Sequence, residues 1–279
     1  MQHAPTIRPL TPAEVETLVD WAALEGWNPG LADAAAFHAA DPEGFLGAFV
    51  DGTLVAGISA VAYGDSFGFI GLYICRPGHR GKGYGKAVWD AGMARLAGRT
   101  VGLDGVPAQQ ANYRSMGFVP AYRTIRYSGR LATPQATSAA IAPVTAELMA
   151  AVAAFDAPFF PAPRRAFLDL WLRPPHVAFA ATGGDGITGY GVARPCRDGF
   201  KIGPLFARDG ATAERLLGAL AEACGGPVHI DVPETAGAFA DFLAGAGLSP
   251  GFETARMYRG PAPAIDMSGV FGVTTLELG

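Results

Sequence analysis

Glycine occupies every second position within residues 80–86, and three of the four other positions carry a positive charge. Glycine adopts φ > 0 without steric cost and lets the backbone approach a ligand, so successive N–H groups can point toward one anion. A helix that begins in this stretch adds the partial charge of its N-terminus, and Arg80 and Lys82 add full charges. The spacing therefore predicts a loop that binds phosphate, with pyrophosphate as its preferred ligand.

Two better-known glycine motifs do not fit these residues. A P-loop requires Ser or Thr after its lysine to hold a metal ion, whereas Lys86 is followed by Ala87. A dinucleotide-binding motif requires G-x-G-x-x-G, whereas residues 81–85 read G-x-G-x-G. The pattern that remains is R-x-x-G-x-G at residues 80–85.

The elements on both sides must hold this loop in place. Residues 67–75 form an apolar run that predicts a strand, and residues 85–97 carry apolar side chains at helical spacing. Thr11 followed by Pro12 predicts the start of a helix that extends to about residue 24. The other elements predicted in this half are a helix at 33–40, hairpin strands at 44–50 and 53–63, a strand at 100–103, a helix at 109–116 and a closing strand at 121–127.

Residues 132–138 are small and polar and include a proline, which is typical of a linker, and the order of predicted elements then repeats. The second half is predicted to contain helices at 145–155, 164–171, 211–223 and 236–246 and strands at 177–181, 188–194, 199–205, 228–232 and 253–258. We therefore predict an α/β protein of the α+β kind with two domains, 1–131 and 139–279, each a mixed central sheet flanked by helices.

Two further motifs flank the glycine loop in the first half. The run I-x-x-P-x-x-R at residues 74–80 leads into the loop, and Y-x-x-x-G-F follows at residues 113–118. Over about residues 6–130, the chain resembles the GNAT superfamily of acetyl-CoA-dependent N-acetyltransferases. The whole chain resembles tandem GNAT proteins of the bacterial YitH type, in which an intact N-terminal domain precedes an altered C-terminal one.

The resemblance implies that acetyl-CoA binds to the first domain. Its pyrophosphate would lie on the glycine loop, and its pantetheine amides would pair with backbone groups around Tyr73 and Ile74 at a splayed strand edge. The cofactor-binding residues implied in this way are Leu72, Tyr73, Ile74, His79, Arg80, Gly81, Lys82, Gly83, Tyr84, Gly85, Lys86 and Asn112.

The resemblance also implies a catalytic acid. Acetyl transfer from a thioester needs a deprotonated amine, donors for the developing oxyanion and an acid for the departing thiolate. Tyr113 occupies the position of the family tyrosine that often supplies this proton. The alternative is that Tyr113 packs beneath a helix with its hydroxyl group on the backbone.

The base is less well defined by the sequence. Glu25 lies where the family has its acceptor-facing loop, and Asp104 follows the strand at 100–103. Either carboxylate could accept the proton of the amine or hold an ammonium group, but Glu25 could also be a surface charge at a helix end and Asp104 a turn residue. Trp27 could line the acceptor pocket or fill a gap in the core.

The second half lacks the glycine loop at the equivalent place, because residues 207–212 contain one glycine and the acidic Asp209. We therefore expect no CoA in this half. Asp209, Asp231 and Glu234 could help to shape a site for a cationic amine, but capping and solvated strand ends are the favoured interpretation.

Composition limits the other classes of function. The net charge of −4 gives no general attraction to nucleic acid, and no apolar run reaches the length of a membrane span. Cys75, Cys196 and Cys224 are scattered and show no zinc-binding or disulfide spacing, and no metal is expected. The N-terminus lacks the layout of a secretory signal, so we expect a cytoplasmic protein.

We predict an N-acetyltransferase that transfers the acetyl group of acetyl-CoA to a primary amine, with a small-molecule acceptor in a cleft bordered by the second domain. A non-catalytic CoA-binding or regulatory module would retain the same loop. A transferase that uses a longer acyl group, or a different acceptor such as an aminoglycoside or a protein lysine, would also retain it, because the loop recognises phosphates common to all acyl-CoA donors.

Overall fold

The computed structural model describes residues 4–132, 141–184 and 186–279 of the 279-residue chain. The first half contains strands β1 (Thr6–Pro9), β2 (Phe45–Val50), β3 (Thr53–Tyr63), β4 (Phe67–Cys75), β5 (Thr100–Gly105) and β6 (Val119–Gly129). Its helices are α1 (Pro12–Leu24), α2 (Asp33–Ala40), α3 (Tyr84–Arg95) and α4 (Pro107–Ser115). The predicted start of α1 is confirmed, since Thr11 and Glu14 form a capping box around Pro12.

The second half contains strands β7 (Ile141–Pro143), β8 (Val177–Gly183), β9 (Gly186–Pro195), β10 (Phe200–Ala207), β11 (Val228–Pro233), β12 (Ser249–Arg259) and β13 (Val270–Gly272). Its helices are α5 (Met149–Asp156), α6 (Arg165–Trp171), α7 (Gly210–Cys224) and α8 (Gly237–Gly245). Strands β1, β7 and β13 were not predicted, because each is only three or four residues long and too short to show a period. Of the linker predicted at 132–138, only residue 132 belongs to the described residues.

All thirteen strands belong to one continuous mixed sheet. Twelve of them follow the order β1-β2-β3-β4-β5-β12-β6-β11-β10-β9-β8-β7, and β13 pairs with β10 beside this path. The expectation that each half has its own mixed sheet therefore needs refinement, because the two sheets are joined edge to edge.

The junction is an exchange of strands between the two halves. β12 of the second half pairs with β5 through Ala255↔Gly105 to Arg259↔Val101, and β6 of the first half pairs with β11 of the second. The prediction that residues 121–127 close the sheet of their own half is thus wrong in one respect, since β6 does not pair with β5. The reason is that β12 already satisfies the edge of β5.

The helices pack on both faces of the sheet, and the buried side chains between the helices and the sheet form three apolar clusters. One cluster lies under α3 in the first half, and a second lies under α7 in the second half. A third cluster on the opposite face includes side chains of α1, α2, α5 and α6 and therefore spans both halves. Within it, the Phe37 ring stacks on the Trp171 ring with centroids 5.9 Å apart. The shared cluster fixes the position of one half against the other.

Candidate active site

Strands β4 and β5 separate at the centre of the first half. They pair in parallel only from Phe67↔Thr100 to Ile70↔Leu103, and β5 then continues alongside β12. From Gly71 onward, β4 is unpaired on the side that faces β5. The separation leaves a V-shaped gap whose sides offer free backbone N–H and C=O groups, which suits a ligand that carries amides.

The backbone of β4 bends where the gap opens. Leu72 has φ of +45°, and the pairing with β3 shifts by one residue between Gly57↔Ile74 and Ser59↔Gly71. Such a bulge places one extra residue on β4 and turns its polar groups away from the regular ladder. A buried leucine at positive φ is uncommon and costs backbone strain, which the surrounding core must offset.

The glycine loop lies at the outer end of β4. Gly81 and Gly83 have φ of +74° and +85°, and Gly83 is the N-cap residue of α3. A Cβ atom built at either glycine would meet no atom within 4 Å, so the space above the loop is open. The first intrahelical bond runs from the Ala87 N–H to the Gly83 carbonyl group, so the N–H groups of residues 84–86 have no acceptor within the helix.

The basic side chains of the loop each have a partner within the protein. Arg80 donates from Nε to the Cys75 carbonyl oxygen at 2.8 Å and forms an ion pair with Glu25. Lys82 donates to the Gly78 carbonyl oxygen at 2.9 Å, and Lys86 pairs with Asp90. These groups are exposed, and their contacts are weak enough to exchange for a phosphate.

A cavity of about 500 Å³ occupies the gap between β4 and β5. Its lining includes four of the predicted cofactor residues, namely Leu72, Tyr73, Ile74 and Arg80, together with all three predicted catalytic residues, Tyr113, Glu25 and Asp104. Tyr84 is buried and Gly85 is half-buried, whereas the other residues of the 81–86 loop are exposed and do not line the cavity. His79 lies half-buried beside Tyr84, with ring centroids 6.3 Å apart, and does not line the cavity.

Asn112 is exposed on α4 and is absent from the cavity lining, so the structure does not bring this predicted residue to the other cofactor residues. Its backbone carbonyl oxygen accepts a hydrogen bond from the Ser115 hydroxyl group at 2.7 Å.

Tyr113 projects from α4 into the cavity. Its ring stacks on Trp89 with centroids 5.7 Å apart and contacts the edge of Phe118, which fixes its orientation. Burial, together with the nearby hydroxyl group of Tyr73, raises the pKa of Tyr113 to about 12. The hydroxyl group makes no hydrogen bond to any residue in the described part of the chain, so the ring packs as the alternative has it but the hydroxyl group is not bonded to the backbone. At neutral pH it carries a proton that it can donate.

Asp104 is fully buried on β5 and forms a bidentate ion pair with Arg256 of β12, at 2.9 and 2.8 Å. Burial disfavours the Arg256 cation, but the Asp104 carboxylate outweighs that effect and raises the pKa of Arg256. The alternative of a turn residue does not apply, because Asp104 still lies within strand β5. Its carboxylate is occupied by the guanidinium group and is a poor candidate for a base. Glu25 sits at the cavity edge in its ion pair with Arg80.

The second half supplies one wall of the cavity. The residues that it contributes, together with one from β6, are Arg126, Phe252, Thr254, Leu276 and Glu277. None of them was predicted as part of the site. They lie outside the motifs at residues 74–86 and 113–118, and four of the five are more than 130 positions further along the chain. The charged Glu277 among the apolar side chains of 270–279 was the one local signal.

The second half also anchors the loop at residues 25–30, which carries Trp27 into the cavity. The Asn28 side chain donates to the Asp198 carbonyl oxygen at 2.8 Å and accepts from the Asp198 N–H group at 3.2 Å. Lys201 donates to the Trp27 carbonyl oxygen at 2.9 Å. Trp27 therefore lines the pocket and also packs against the shared core, so both of its predicted roles apply.

Comparison with known proteins agrees with this geometry. Residues 13–118 match the acetyltransferase (GNAT) family model, and residues 152–272 match the acetyltransferase (GNAT) domain model. The chain is 34% identical over 277 residues, 98% of its length and 94% of the relative's, to a protein named holothin acyltransferase from Pseudoalteromonas sp. (strain SANK 73390). This chain belongs to the GNAT acyltransferase superfamily. It carries two GNAT domains in tandem.

Solved structures show the same fold. A putative acetyltransferase from Pyrococcus horikoshii matches with a TM-score of 0.83 and 22% identity, over 100% of this chain and 97% of that one. A tandem GNAT protein from the clavulanic acid biosynthesis pathway matches with a TM-score of 0.62 and 15% identity, over 92% of this chain and 99% of that one. At these identities the likeness concerns the fold.

The second GNAT domain has a counterpart of the β4–β5 gap. Its strands β10 and β11 pair in parallel from Phe200↔Val228 to Ile202↔Ile230 and then separate. Strand β13 lies in this second gap, where it pairs with β10 and where the Val273 N–H group donates to the Asp231 carbonyl oxygen at 2.9 Å. The chain itself thus occupies the place that the first GNAT domain leaves open, which adds a second physical reason to expect no CoA there.

The three acidic residues singled out in the second GNAT domain each have a partner. Asp209 caps α7 by accepting from the Thr212 N–H group at 2.7 Å, which confirms the capping interpretation. Glu234 accepts from the Arg123 N–H group and pairs with its side chain. Asp231 is buried; its burial opposes ionisation, but the ion pair with Arg126 lowers the pKa of Asp231 overall. None of the three lines the cavity.

Two further observations concern metal-binding clusters and long apolar helices. Within the described residues, no three His, Cys, Asp or Glu side chains are grouped so that they could hold a metal ion. Among the helices of residues 4–132, 141–184 and 186–279, none is long and apolar enough to cross a membrane.

Proposed function

We propose that this protein is an N-acetyltransferase that transfers the acetyl group of acetyl-CoA to the primary amine of a small molecule. One observation carries the proposal: the gap between β4 and β5 runs from the open glycine loop to a protonated tyrosine hydroxyl group in the cavity. Pyrophosphate on the loop and pantetheine in the gap would bring the thioester toward Tyr113.

The chemistry of the site suits direct transfer. The amine nitrogen forms a bond to the thioester carbonyl carbon, the carbon–sulfur bond breaks, and Tyr113 donates its proton to the departing thiolate. Backbone N–H groups released by the bulge at Leu72 are available donors for the carbonyl oxygen. A purely regulatory CoA-binding module would not need an oriented hydroxyl group at this place.

The cavity favours a small acceptor over a protein lysine. Its volume of about 500 Å³ falls within the range of small-molecule pockets, and the anchored loop at residues 25–30 together with the second GNAT domain borders it. The relative named holothin acyltransferase suggests holothin as one acceptor to include in a screen. Since three scattered thiols without disulfides suit a reducing compartment, we propose the cytoplasm as its location.

A screen of amines with the purified full chain tests this function. Holothin, aromatic and aliphatic monoamines, polyamines, aminoglycosides and a lysine peptide are each incubated with acetyl-CoA, and free thiol is measured. We expect thiol release that depends on a small primary amine, with acetyl-CoA preferred over longer acyl-CoA donors. Binding of acetyl-CoA without transfer to any amine would indicate the non-catalytic module, and a preference for a longer acyl-CoA would correct the donor.

A further inference from the structure

Three carboxylates line the cavity, and only one of them lacks a partner among the described residues. Glu25 is paired with Arg80, and Asp104 is held by Arg256. Glu277 is 4% exposed, its carboxylate makes no hydrogen bond or ion pair within the described residues, and its Oε2 is buried. A buried carboxylate without a partner is costly, so its presence in a cavity indicates a ligand that satisfies it.

Backbone contacts hold Glu277 at the inner end of the gap between β4 and β5. Its carbonyl oxygen accepts from the Ser59 hydroxyl group at 3.2 Å and packs so closely on Gly71 that a Cβ atom there would lie 2.0 Å away. The Tyr63 hydroxyl group bonds to the Leu278 carbonyl oxygen at 3.1 Å. Gly71 is the first residue of β4 beyond the last β4–β5 pair, so the tail brings Glu277 to the inner end of the gap.

The charged groups around Glu277 leave its carboxylate oxygens free. Arg126 of β6 is bound to Asp231, and Arg194 of β9 is bound to Asp33. Lys201 of β10 is buried and interacts electrostatically with Glu277, but its ammonium group donates to the Trp27 carbonyl oxygen. The surrounding cations therefore lie near Glu277 without occupying its carboxylate group.

We propose that Glu277 binds the ammonium group of the acceptor and takes its proton before acetyl transfer, and that the acceptor is a compact amine with an aromatic or apolar body. This inference rests on the proposed function. Trp27 and Phe252 line the cavity and would contact the apolar body, and the Thr254 hydroxyl group, which has no partner in the described chain, would bind a polar atom on it.

The protons balance along this route. Glu277 accepts one proton from the ammonium group and releases it to water. The neutral nitrogen then forms the C–N bond as the C–S bond breaks, Tyr113 protonates the thiolate, and the second proton released by nitrogen restores the Tyr113 hydroxyl group. The products are the amide, free CoA and one proton.

The first test measures binding to the full chain in the presence of CoA. Calorimetry compares 2-phenylethylamine with 2-phenylethanol, which has the same body and no charge. We expect the wild-type protein to bind the amine at least about 10-fold more tightly, and Glu277→Gln to reduce this preference to about 2-fold or less. Equal binding of amine and alcohol by the wild-type protein, or an unchanged preference in the variant, would overturn the assignment.

The second test measures transfer to the best acceptor of the amine screen. Glu277→Gln is expected to lower kcat/KM for the amine by about 100-fold or more, because loss of a general base typically costs that much. Its affinity for acetyl-CoA is expected to stay within about 2-fold, and Glu277→Asp should restore part of the activity. Glu147→Gln, an exposed glutamate in the same half, is the matched control and should behave as wild type.

These measurements separate two kinds of failure. If the wild-type protein does not bind acetyl-CoA, the proposed function is wrong. If it binds acetyl-CoA and acetylates an amine while Glu277→Gln remains as active as the control, the function stands and the role of Glu277 is wrong. Circular dichroism and thermal unfolding of both glutamate variants show whether each chain is folded.

Discussion

The Tyr113 hydroxyl group lies in a cavity where burial keeps it protonated. Its ring is held between Trp89 and Phe118, so the direction of the O–H group depends on packing rather than on a hydrogen bond. Because the pKa of Tyr113 is raised to about 12, the proton is present at every pH at which the protein would be assayed.

Tyr113→Phe keeps the ring and removes the acid. We expect kcat to fall by about 100-fold or more, with KM for acetyl-CoA changed by less than about 3-fold, because a group that acts only on the leaving thiolate contributes to the transition state and not to binding. Since the folded-state pKa is raised, loss of this proton should produce no decline in rate between pH 7 and pH 10. Steady-state kinetics with the true acceptor provide the measurement.

Tyr127→Phe serves as the matched control, because Tyr127 lies on β6 away from the cavity lining. It should leave kcat unchanged. If kcat of Tyr113→Phe equals that of this control, another group protonates the thiolate.

Sequence motifs located Tyr113, Arg80 and the glycines because their chemistry depends on short spacing. Glu277 and Phe252 could not be found in this way. They reach the cavity only because the tail and β12 fold back onto the first half, across more than 140 residues of sequence. Phe252 stands in no local pattern that would distinguish it from a surface side chain, and Glu277 is marked only by its charge between two leucines.

At the scale of elements, the start of α3 combines backbone conformation with charge. Gly83 has φ of +85° and open space at its Cβ position, so a side chain there meets strain but no clash. Gly83→Glu should abolish measurable binding of acetyl-CoA, because its carboxylate would stand where the pyrophosphate must lie. Isothermal titration calorimetry with acetyl-CoA tests this.

Gly64 offers a matched control in the turn between β3 and β4. It also has positive φ, at +61°, and no neighbour within 4 Å of a built Cβ atom. Gly64→Glu should lose a similar amount of stability and bind acetyl-CoA normally. Equal affinity of the wild type and Gly83→Glu would contradict the loop as the pyrophosphate site.

The start of α7 carries an acidic residue, whereas the start of α3 carries basic ones. Asp209 accepts from the Thr212 N–H group, and this hydrogen bond lowers the pKa of Asp209. Asp209→Ala should reduce the free energy of unfolding by about 1 kcal/mol at pH 7 and leave acetyl-CoA binding unchanged. Because the folded-state pKa is lowered, this contribution is present above the ordinary pKa of aspartate and is lost as the pH falls below it.

Denaturant unfolding at pH 7 and at pH 3 measures the difference between Asp209→Ala and the wild type. The difference should shrink at the lower pH. A variant that loses acetyl-transfer activity instead of stability would give Asp209 a functional role that its position does not suggest.

Hydrophobic periodicity predicted the long elements of both halves because each must present an apolar face to a core. Helices α1 and α2 and strands β3 and β4 have the predicted bounds. Helix α5 begins at Met149 rather than at the predicted residue 145, because residues 145–148 form a turn closed by the Leu148 N–H group on the Thr145 carbonyl oxygen. Such a boundary depends on capping, which periodicity does not reveal.

At the scale of the whole molecule, a buried ion pair joins the two GNAT domains. Asp33 of α2 is fully buried, accepts from the Gly30 N–H group at 2.8 Å and pairs with Arg194 of β9. Asp33→Asn should reduce the free energy of unfolding by about 3–5 kcal/mol, because Arg194 would remain buried without a counter-charge. Denaturant titration followed by circular dichroism measures this change.

The same titration reports on cooperativity. Since the third apolar cluster and the exchanged strands span both halves, the variant should unfold in one transition at a lower denaturant concentration. Glu16→Gln, on the exposed side of α1, is the control and should unfold as the wild type does. Two separate transitions would show that the halves are thermodynamically independent.

The order of strands across the sheet was beyond sequence analysis for a physical reason. The repeated order of elements predicted two similar domains, and two family matches support that interpretation. Which strand pairs with β5 depends on packing between residues such as Leu103 and Met257, which are paired in the sheet but 154 positions apart. No local propensity encodes that choice.

The exchange of strands has a consequence for synthesis on the ribosome. When residues 100–105 leave the exit tunnel, their partner strand, Ser249–Arg259, has not yet been made. At about 5–20 residues per second, the edge of β5 would wait roughly 7–30 s for that partner. During this time the nascent chain exposes one unpaired strand edge, so its yield in a cell should depend on chaperones and on the speed of translation.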